Sequence, residues 1–289
     1  MHPNVERMLA ALTLTPVSTA QDSGEFIAPS IKMLHNRVYG GQVMAQALLA
    51  ATATVNDGRP AHSLHGYFLR PGDDTQPISF SVDRIHDGRS FSTRRTQAYQ
   101  NDRPIFSMIA SFQTPDDGLD HYEPMPSGLP SPEDLPAPEQ QFAAVDDPRA
   151  KYWATERPFD VRYINGPIYL SVEGEHVAHQ AIWMRCVDAL PDSPALHQAA
   201  LAYASDYPIL EPIYRRHGVP WRTPGLKAAS LDHAMWFHRP ARADEWLLYT
   251  QQSPSAQGGR GLGLGSIYTR DGVLVATVAQ EGTIRVPRN

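Results

Sequence analysis

Apolar positions along this chain fall into two kinds of run, and the order of the runs repeats. Val5 to Leu14 places apolar residues at helical spacing, which predicts a short helix. Phe26-Ile27-Ala28 and Val38-Tyr39 read as extended pieces around a loop. Gly40-Gly41-Gln42 then opens Val43 to Ala51, a proline-free stretch rich in Ala, Leu and Met. Being apolar nearly all round, it predicts a helix buried on most faces. Strand-like segments follow at Ser63–Leu69, Ile78–Ile85, Phe91–Gln100 and Pro104–Gln113, with Ile78, Phe80 and Val82 alternating in the second. Arg70-Pro71-Gly72, Asp87-Gly88 and Asn101-Asp102 separate them, so the prediction is an antiparallel meander preceded by a helix.

Residues 114–150 break the rhythm with prolines at 115, 124, 126, 130, 132, 136, 138 and 148. Proline at that density opposes both helix and central strand, and predicts a linker crossing the surface. Beyond it the first pattern returns. Phe68-Leu69-Arg70-Pro71 is echoed by Phe237-His238-Arg239-Pro240, and Asp102 by Asp271 at the same offset. Pro104–Phe112 matches Val273–Glu281, with a slip of two in the middle where Gly88-Arg89 pairs better with Gly259-Arg260. Ala195 to Ala204 repeats the Ala/Leu helix. Two copies of one helix-and-meander unit, packed as a pseudo-dimer, are therefore expected: 1–118, a proline-rich linker at 119–165, and 166–289.

Composition narrows the function classes. The 289 residues are 42% apolar and 19% charged, enough to bury a sizeable core. A net charge of −6 disfavours a broad nucleic-acid surface. No apolar run reaches the length of a membrane span. The amino-terminal Met1–Glu6 lacks a secretory signal, and Val286–Asn289 carries no peroxisomal tripeptide, so a soluble cytoplasmic protein is expected. The single cysteine, Cys186, leaves no internal disulfide and reads as a buried, inert thiol. Basic residues are nearly all arginine, which suits phosphate but also reflects plain composition.

Several chemistries find no support. There is no Gly-x-Ser-x-Gly elbow and no Walker A loop. Gly259, Gly261, Gly263 and Gly265 alternate within a strand-like segment, which flattens one face for close approach of backbone or ligand. The histidines show no convincing metal spacing: His176 and His179 fall at or beside a strand that would point them to opposite faces. No metal or cofactor is expected.

Three polar residues stand out. Asp206 ends the second helix, because Pro208 biases Tyr207 out of helical geometry. A carboxylate there faces the negative end of the macrodipole, which tends to raise its pKa; by position alone a plain helix-end or turn carboxylate is the better reading. Ser230 opens the strand after that helix, and Gln280 lies between apolar residues of the last strand. In isolation both read as ordinary satisfied polar groups.

Val38-Tyr39-Gly40-Gly41-Gln42, His62–Asp73 (HSLHGYFLRPGD), Ser230–Pro240 (SLDHAMWFHRP), and Asp271–Ala276 with Gln280-Glu281-Gly282 together resemble the acyl-CoA thioesterase II family. The resemblance covers nearly the whole chain apart from the linker. It implies an α+β double hot-dog fold: two tandem repeats, each a curved antiparallel sheet wrapped around a central helix. It further implies hydrolysis of fatty acyl-CoA by an activated water, without a covalent intermediate. The family's Asp, hydroxyl and Gln fall on Asp206, Ser230 and Gln280, with serine where some relatives carry threonine. Asp206 would be general base, while Ser230 and Gln280 hold the water. His65 is a substrate-contact candidate, and Arg70, Arg94, Arg95 and Arg260 are candidates for the CoA phosphates, each against a plain structural reading. The expected partner is the acyl-CoA substrate, and a homo-oligomer, dimer or tetramer, is expected.

Two alternatives remain at this stage. A hot-dog enoyl-CoA hydratase or dehydratase would need an Asp/His pair in one site. Adjacent Asp232-His233 points to opposite faces of a strand, which counts against it. A non-catalytic acyl-CoA sensor would have no use for the Asp206, Ser230 and Gln280 set.

Overall fold

The computed structural model describes residues 1–18, 24–55 and 58–287; the last two residues of the C-terminal tetrapeptide lie outside them. In chain order the elements begin α1 (Pro3–Leu12), β1 (Thr15–Pro16), β2 (Glu25–Ala28) and α2 (Gly40–Ala53). The first meander is β3 (Ala61–Phe68), β4 (Ile78–Asp87), β5 (Phe91–Gln100) and β6 (Arg103–Gln113). Next come α3 (Pro138–Phe142), α4 (Pro148–Thr155), β7 (Phe159–Tyr163), β8 (His179–Cys186), α5 (Pro194–Ser205) and α6 (Glu211–Arg216). The chain closes with β9 (Lys227–Ser230), β10 (Asp232–Phe237), β11 (Leu247–Gln257), β12 (Arg260–Thr269) and β13 (Leu274–Arg285). Among these elements no helix is long and apolar enough to cross a membrane.

One antiparallel sheet runs β1-β2-β4-β5-β6-β3-β10-β13-β12-β11-β8-β7, with β9 also paired to β13. The two meanders meet at the β3–β10 seam, where Tyr67 pairs with Asp232 and Ser63 with Trp236. Two paired edges thereby disappear into the middle of the sheet. On its inner side α2 packs against β3, β4, β5 and β6, and against α5. The helices run antiparallel: Tyr39, at the start of α2, bonds the carbonyl of Tyr203 near the end of α5. Alanines at 45, 47, 50, 51, 199, 200, 202 and 204 are all buried, so the helices bury nearly their whole circumference. Small side chains allow that close approach.

The glycine-rich strand behaves as its pattern predicts. A β-carbon on Gly263 would lie 2.1 Å from the Ile209 carbonyl, and one on Gly261 2.6 Å from Ile213. The flat face of β12 thus admits the chain entering α6. The linker differs from expectation. Pro132, Pro138 and Pro148 each open a short helical turn, at positions where a missing N–H costs nothing. β7, inside residues 119–165, adds the outermost strand beside β8. Met125, Leu129 and Leu135 cover a second apolar cluster, Trp183, Trp246, Leu248 and Tyr268.

Strand pairing fixes the internal repeat. Phe68 faces Phe106 in the first meander as Phe237 faces Ala276 in the second. Counting from these pairs, Pro104 corresponds to Leu274, one residue later than the sequence match. The slip sits in the last turn, not in the middle. Asn101 and Asp102 (φ 51° and 58°) make a two-residue turn, while residues 270–273 need a longer one with Gly272 at φ 93°.

Candidate active site

Asp206 caps the C-terminus of α5. Three elements bring donors to its carboxylate. Gln280 of β13 donates to Oδ1 at 2.9 Å, Ser230 at the end of β9 donates to the same oxygen at 3.3 Å, and Gly41 N–H donates to Oδ2 at 2.9 Å. Gln280 also donates to Ser230 Oγ at 2.8 Å. The sequence-derived trio therefore converges. Ser230 and Gln280 point onto the carboxylate itself, however, and not into space where they alone would hold a water.

Gly41 belongs to the other repeat, and its role was not read from the sequence. Tyr39, the N-cap of α2, makes no side-chain capping bond. Asp206 takes that place, so one carboxylate ends α5 and caps α2, near the positive end of the second helix's dipole. The double glycine is what permits this. A β-carbon on Gly40 would lie 2.8 Å from Asp206 Oδ2, and one on Gly41 2.3 Å from the Tyr203 carbonyl. The Gly40-Gly41 pair ahead of an all-apolar helix was the available signal.

Burial pushes the Asp206 carboxyl up to about 6, and the bonds from Gln280, Gly41 and Ser230 oppose that rise. Desolvation is thus the dominant cause; the C-terminal dipole invoked from the sequence meets an opposing N-terminal one. Behind Gln280 lies His233, fully buried, whose Nδ1 contacts Gln280 Oε1 and whose Nε2 lies 3.0 Å from Ser205 Oγ. Burial pushes this imidazole down to about 4, so it is neutral near pH 7. Asp232 faces the other way, accepting from the Glu281 N–H.

The other residues singled out in the sequence do not all join this group. His65 lies exposed on the outer face of β3, edge-on to Trp236 with centroids 5.0 Å apart. Its neighbours Leu64 and Gly66 take the buried inner side, so the strand's period of two turns His65 away from Asp206. Arg94 is fully buried, donating to Thr54 Oγ1, the carbonyls of Thr54, His86 and Thr93, and Asp87. No N–H face of it reaches solvent phosphate, which removes it as a CoA ligand. Arg95 pairs with Asp83 at 2.6 Å. Arg70, exposed, donates to the Pro104 carbonyl, and Arg260, also exposed, pairs with Glu281 at 3.0 Å. Arg70 follows β3, whose last residue Phe68 bonds the Leu231 carbonyl, and Arg260 opens β12 opposite Thr283, which pairs with Ala229.

The repeat explains Arg94. The first-repeat equivalents of His233, Gln280 and Ser230 are Leu64, Ala110 and Ala61. Thr54 caps α2 where Asp206 caps α5. Arg94 pairs across from Ala110 as Gly263 pairs across from Gln280. Arg94 therefore fills the twin of the site, and its guanidinium caps the carbonyl end of α2.

A half-buried carboxylate held by an amide, a hydroxyl and a helix N-terminus can polarise water without a metal ligand set or a cysteine. The pattern of the acyl-CoA thioesterase family matches residues 153–283, and that of the acyl-CoA thioesterase N-terminal domain matches residues 27–113. Acyl-CoA thioesterase 2 of Haemophilus influenzae is 38% identical over 255 residues, covering 86% of this chain and 88% of that protein. Acyl-coenzyme A thioesterase 8 of Mus musculus is 39% identical over 262 residues, covering 86% and 81%. The crystal structure of an acyl-CoA thioesterase II from Mycobacterium marinum superposes with a TM-score of 0.79 at 42% identity, covering 97% of this chain and 98% of that one. A hot-dog-fold protein from Alicyclobacillus acidocaldarius superposes with a TM-score of 0.78 at 19% identity, covering 97% and 98%. The fold is a double hot dog. The chain belongs to the acyl-CoA thioesterase family, enzymes of the thioesterase II type that hydrolyse acyl-CoA.

Proposed function

We propose that this enzyme hydrolyses fatty acyl-CoA by direct attack of a water activated by Asp206, with no acyl-enzyme intermediate. The observation that carries the reading is the raised, triply bonded carboxylate of Asp206 between α5 and α2. With a pKa near 6 it is ionised at pH 7 yet basic enough to accept a proton. Gln280 and Ser230 occupy Oδ1 and fix the carboxylate plane, leaving the second lone pair of Oδ2, beside the Gly41 N–H, for the water.

The water oxygen bonds to the thioester carbonyl carbon as its proton passes to Asp206. The tetrahedral intermediate then breaks its C–S bond, CoA thiolate leaves, and the thiolate recovers the proton. Charge on the carbonyl oxygen is met at the amino end of α2 by the Gly40 N–H, next to the Gly41 N–H that holds Asp206. Arg70 and Arg260 bind the CoA phosphates, being exposed at strand ends beside Ser230. The C-terminal repeat supplies the side chains of the reaction and the N-terminal repeat the helix start. The reading carries with it a cytoplasmic location and a homo-oligomer of two or four chains, the latter checked by light scattering.

A single turnover in H₂¹⁸O tests the mechanism. Direct attack places ¹⁸O in the fatty acid on the first turnover. Label found instead in the Asp206 carboxylate by peptide mass spectrometry would establish an acyl-aspartyl intermediate and overturn it. Thiol release without change in enoyl absorbance separates hydrolysis from hydration.

A further inference from the structure

Gln280 spends both amide hydrogens, one on Asp206 Oδ1 and one on Ser230 Oγ. Its Oε1 must then accept, and the atom it meets is His233 Nδ1. A primary amide can turn over by half a rotation at almost no steric cost. Turned over, Gln280 would present its oxygen to the Asp206 carboxylate and withdraw the hydrogen bond. Something must select one orientation. We infer that His233 is the positioning residue that fixes the Gln280 amide, and through it the carboxylate of Asp206. The inference rests on the reading of Asp206 as general base.

With Nδ1 donating to Gln280, a neutral ring leaves Nε2 bare, and Ser205 Oγ stands 3.0 Å away, its one hydrogen shared between Nε2 and the Ala202 carbonyl at 2.9 Å. Ser205 is the residue before Asp206, itself fully buried, and its carbonyl accepts from Tyr249 at 3.2 Å. The chain therefore closes on itself: Ser205 to His233 to Gln280 to Asp206. Burial keeps the ring neutral, so the tautomer is set by the Gln280 oxygen, which can only accept. The repeat gives an independent argument. The position equivalent to His233 in the first repeat is Leu64, fully buried, and there Ala110 stands in place of Gln280. The fold accepts leucine at this point of the sheet. Histidine is found in the repeat that carries the amide.

Three variants and the wild type decide the matter, read by kcat, KM, the pH profile of kcat/KM and thermal melts. His233→Leu places in β10 the side chain its twin already holds. It leaves Gln280 Oε1 unpaired and the amide free to turn. A lost hydrogen bond to an ionised partner corresponds to a fall in kcat of about 10- to 100-fold, with KM changed by about twofold or less. The acid limb of the profile, set by Asp206, moves to higher pH as the amide oxygen comes to oppose the carboxylate. Of the titratable groups facing Asp206, Tyr39 before α2 and Tyr249 on β11 stay protonated, raised well above 10 by burial, and His233 itself is gone. His233→Asn keeps an N–H where Nδ1 stood and recovers most of the rate and the limb. A folded His233→Leu enzyme with wild-type kcat and acid limb overturns the inference. So does an asparagine variant as impaired as the leucine one. If His233→Leu does not fold, His233→Met carries the same test: it too withdraws the donor from Gln280 Oε1, and an unmoved acid limb overturns the inference. Asp206→Asn runs in parallel. Full activity there would overturn the general-base reading itself, whereas loss there with an unaffected His233→Leu removes only the relay.

Discussion

Replacing Asp206 with Asn removes the base while keeping the shape and one oxygen that can still accept from Gly41. General-base contributions run to about 10²–10⁴-fold, so kcat should fall by that order. KM should change little, because on the proposed mechanism the carboxylate engages the water and not the substrate chain. Stability supplies a second, independent readout. The carboxyl stands at about 6 against its ordinary value of 3.8, which corresponds to about 3 kcal/mol of cost to the ionised folded state at pH 7. A folded pKa above the unfolded one means that the native state keeps a proton the unfolded chain has released between about pH 4 and 6. Wild-type stability from this group is therefore highest below pH 4 and falls as pH rises through 6. His233 works in the opposite sense: its folded pKa, lowered to about 4, favours folding above pH 6.5 and withdraws that support as pH falls. In the wild type the two slopes oppose each other over nearly the same window. Asp206→Asn uncovers the histidine slope. At pH 7 the variant should be more stable by about 1–2 kcal/mol, the relief of the charge less a weakened helix cap of about 1 kcal/mol. Near pH 4 the advantage should vanish. Urea melts followed by circular dichroism at pH 4, 5.5 and 7, beside steady-state thiol release, make the measurement. A folded variant with wild-type kcat would refute the assignment; a variant equally stabilised at pH 4 and 7 would refute the buried-charge account.

Ser230→Ala and Gln280→Ala should each cost less kcat than Asp206→Asn. Their double variant should fall short of the combined losses, because both hold one carboxylate oxygen; strict additivity in a double-mutant cycle would separate their roles. Cys186→Ser should retain nearly full thiol release, since that thiol is buried and pushed up to about 11; a loss of several orders with the fold intact would indicate a cysteine acyl-enzyme. Arg94→Met strands the carbonyls of Thr54 and His86 and should lower stability by about 2–4 kcal/mol without changing KM. A raised KM at unchanged stability would restore Arg94 as a phosphate ligand.

Much of this architecture was legible because local pattern and tertiary role agreed. The all-apolar helices, the alternation in β4 and the turn at Asn101-Asp102 each encode their own geometry, and the Phe68/Phe237 echo exposes the duplication. The site trio was reachable only through resemblance: Asp206, Ser230 and Gln280 lie on three elements whose convergence no local signal announces. Gly41 and His233 escaped for the same reason. A helix start in one repeat capped by a carboxylate from the other is a property of the assembled pair. The arginines failed differently. Composition marks Arg94 and Arg260 alike, and only the Thr54 cap and the Ala110 gap show that one is interior filling. His65 was a matter of strand phase, decided by Gly66, whose absent side chain leaves room for the Phe106 ring.

The β3–β10 seam separates the continuity of the fold from the continuity of the chain. What joins the halves is a strand pair, the α2–α5 contact and the contacts of α1 and Met33 with α4 and its flanks, while the peptide between β6 and α3 runs along the outside, with Leu119 fully exposed. A break at Gly118–Leu119 therefore interrupts no ladder. Fragments 1–118 and 119–289, each insoluble alone with a bare seam edge, should complement one another when co-expressed, as a split enzyme. Their reunion would report itself, because Gly41 reaches Asp206 only when both fragments are in place. Turnover in such a pair becomes a direct gauge of how often the two halves are together.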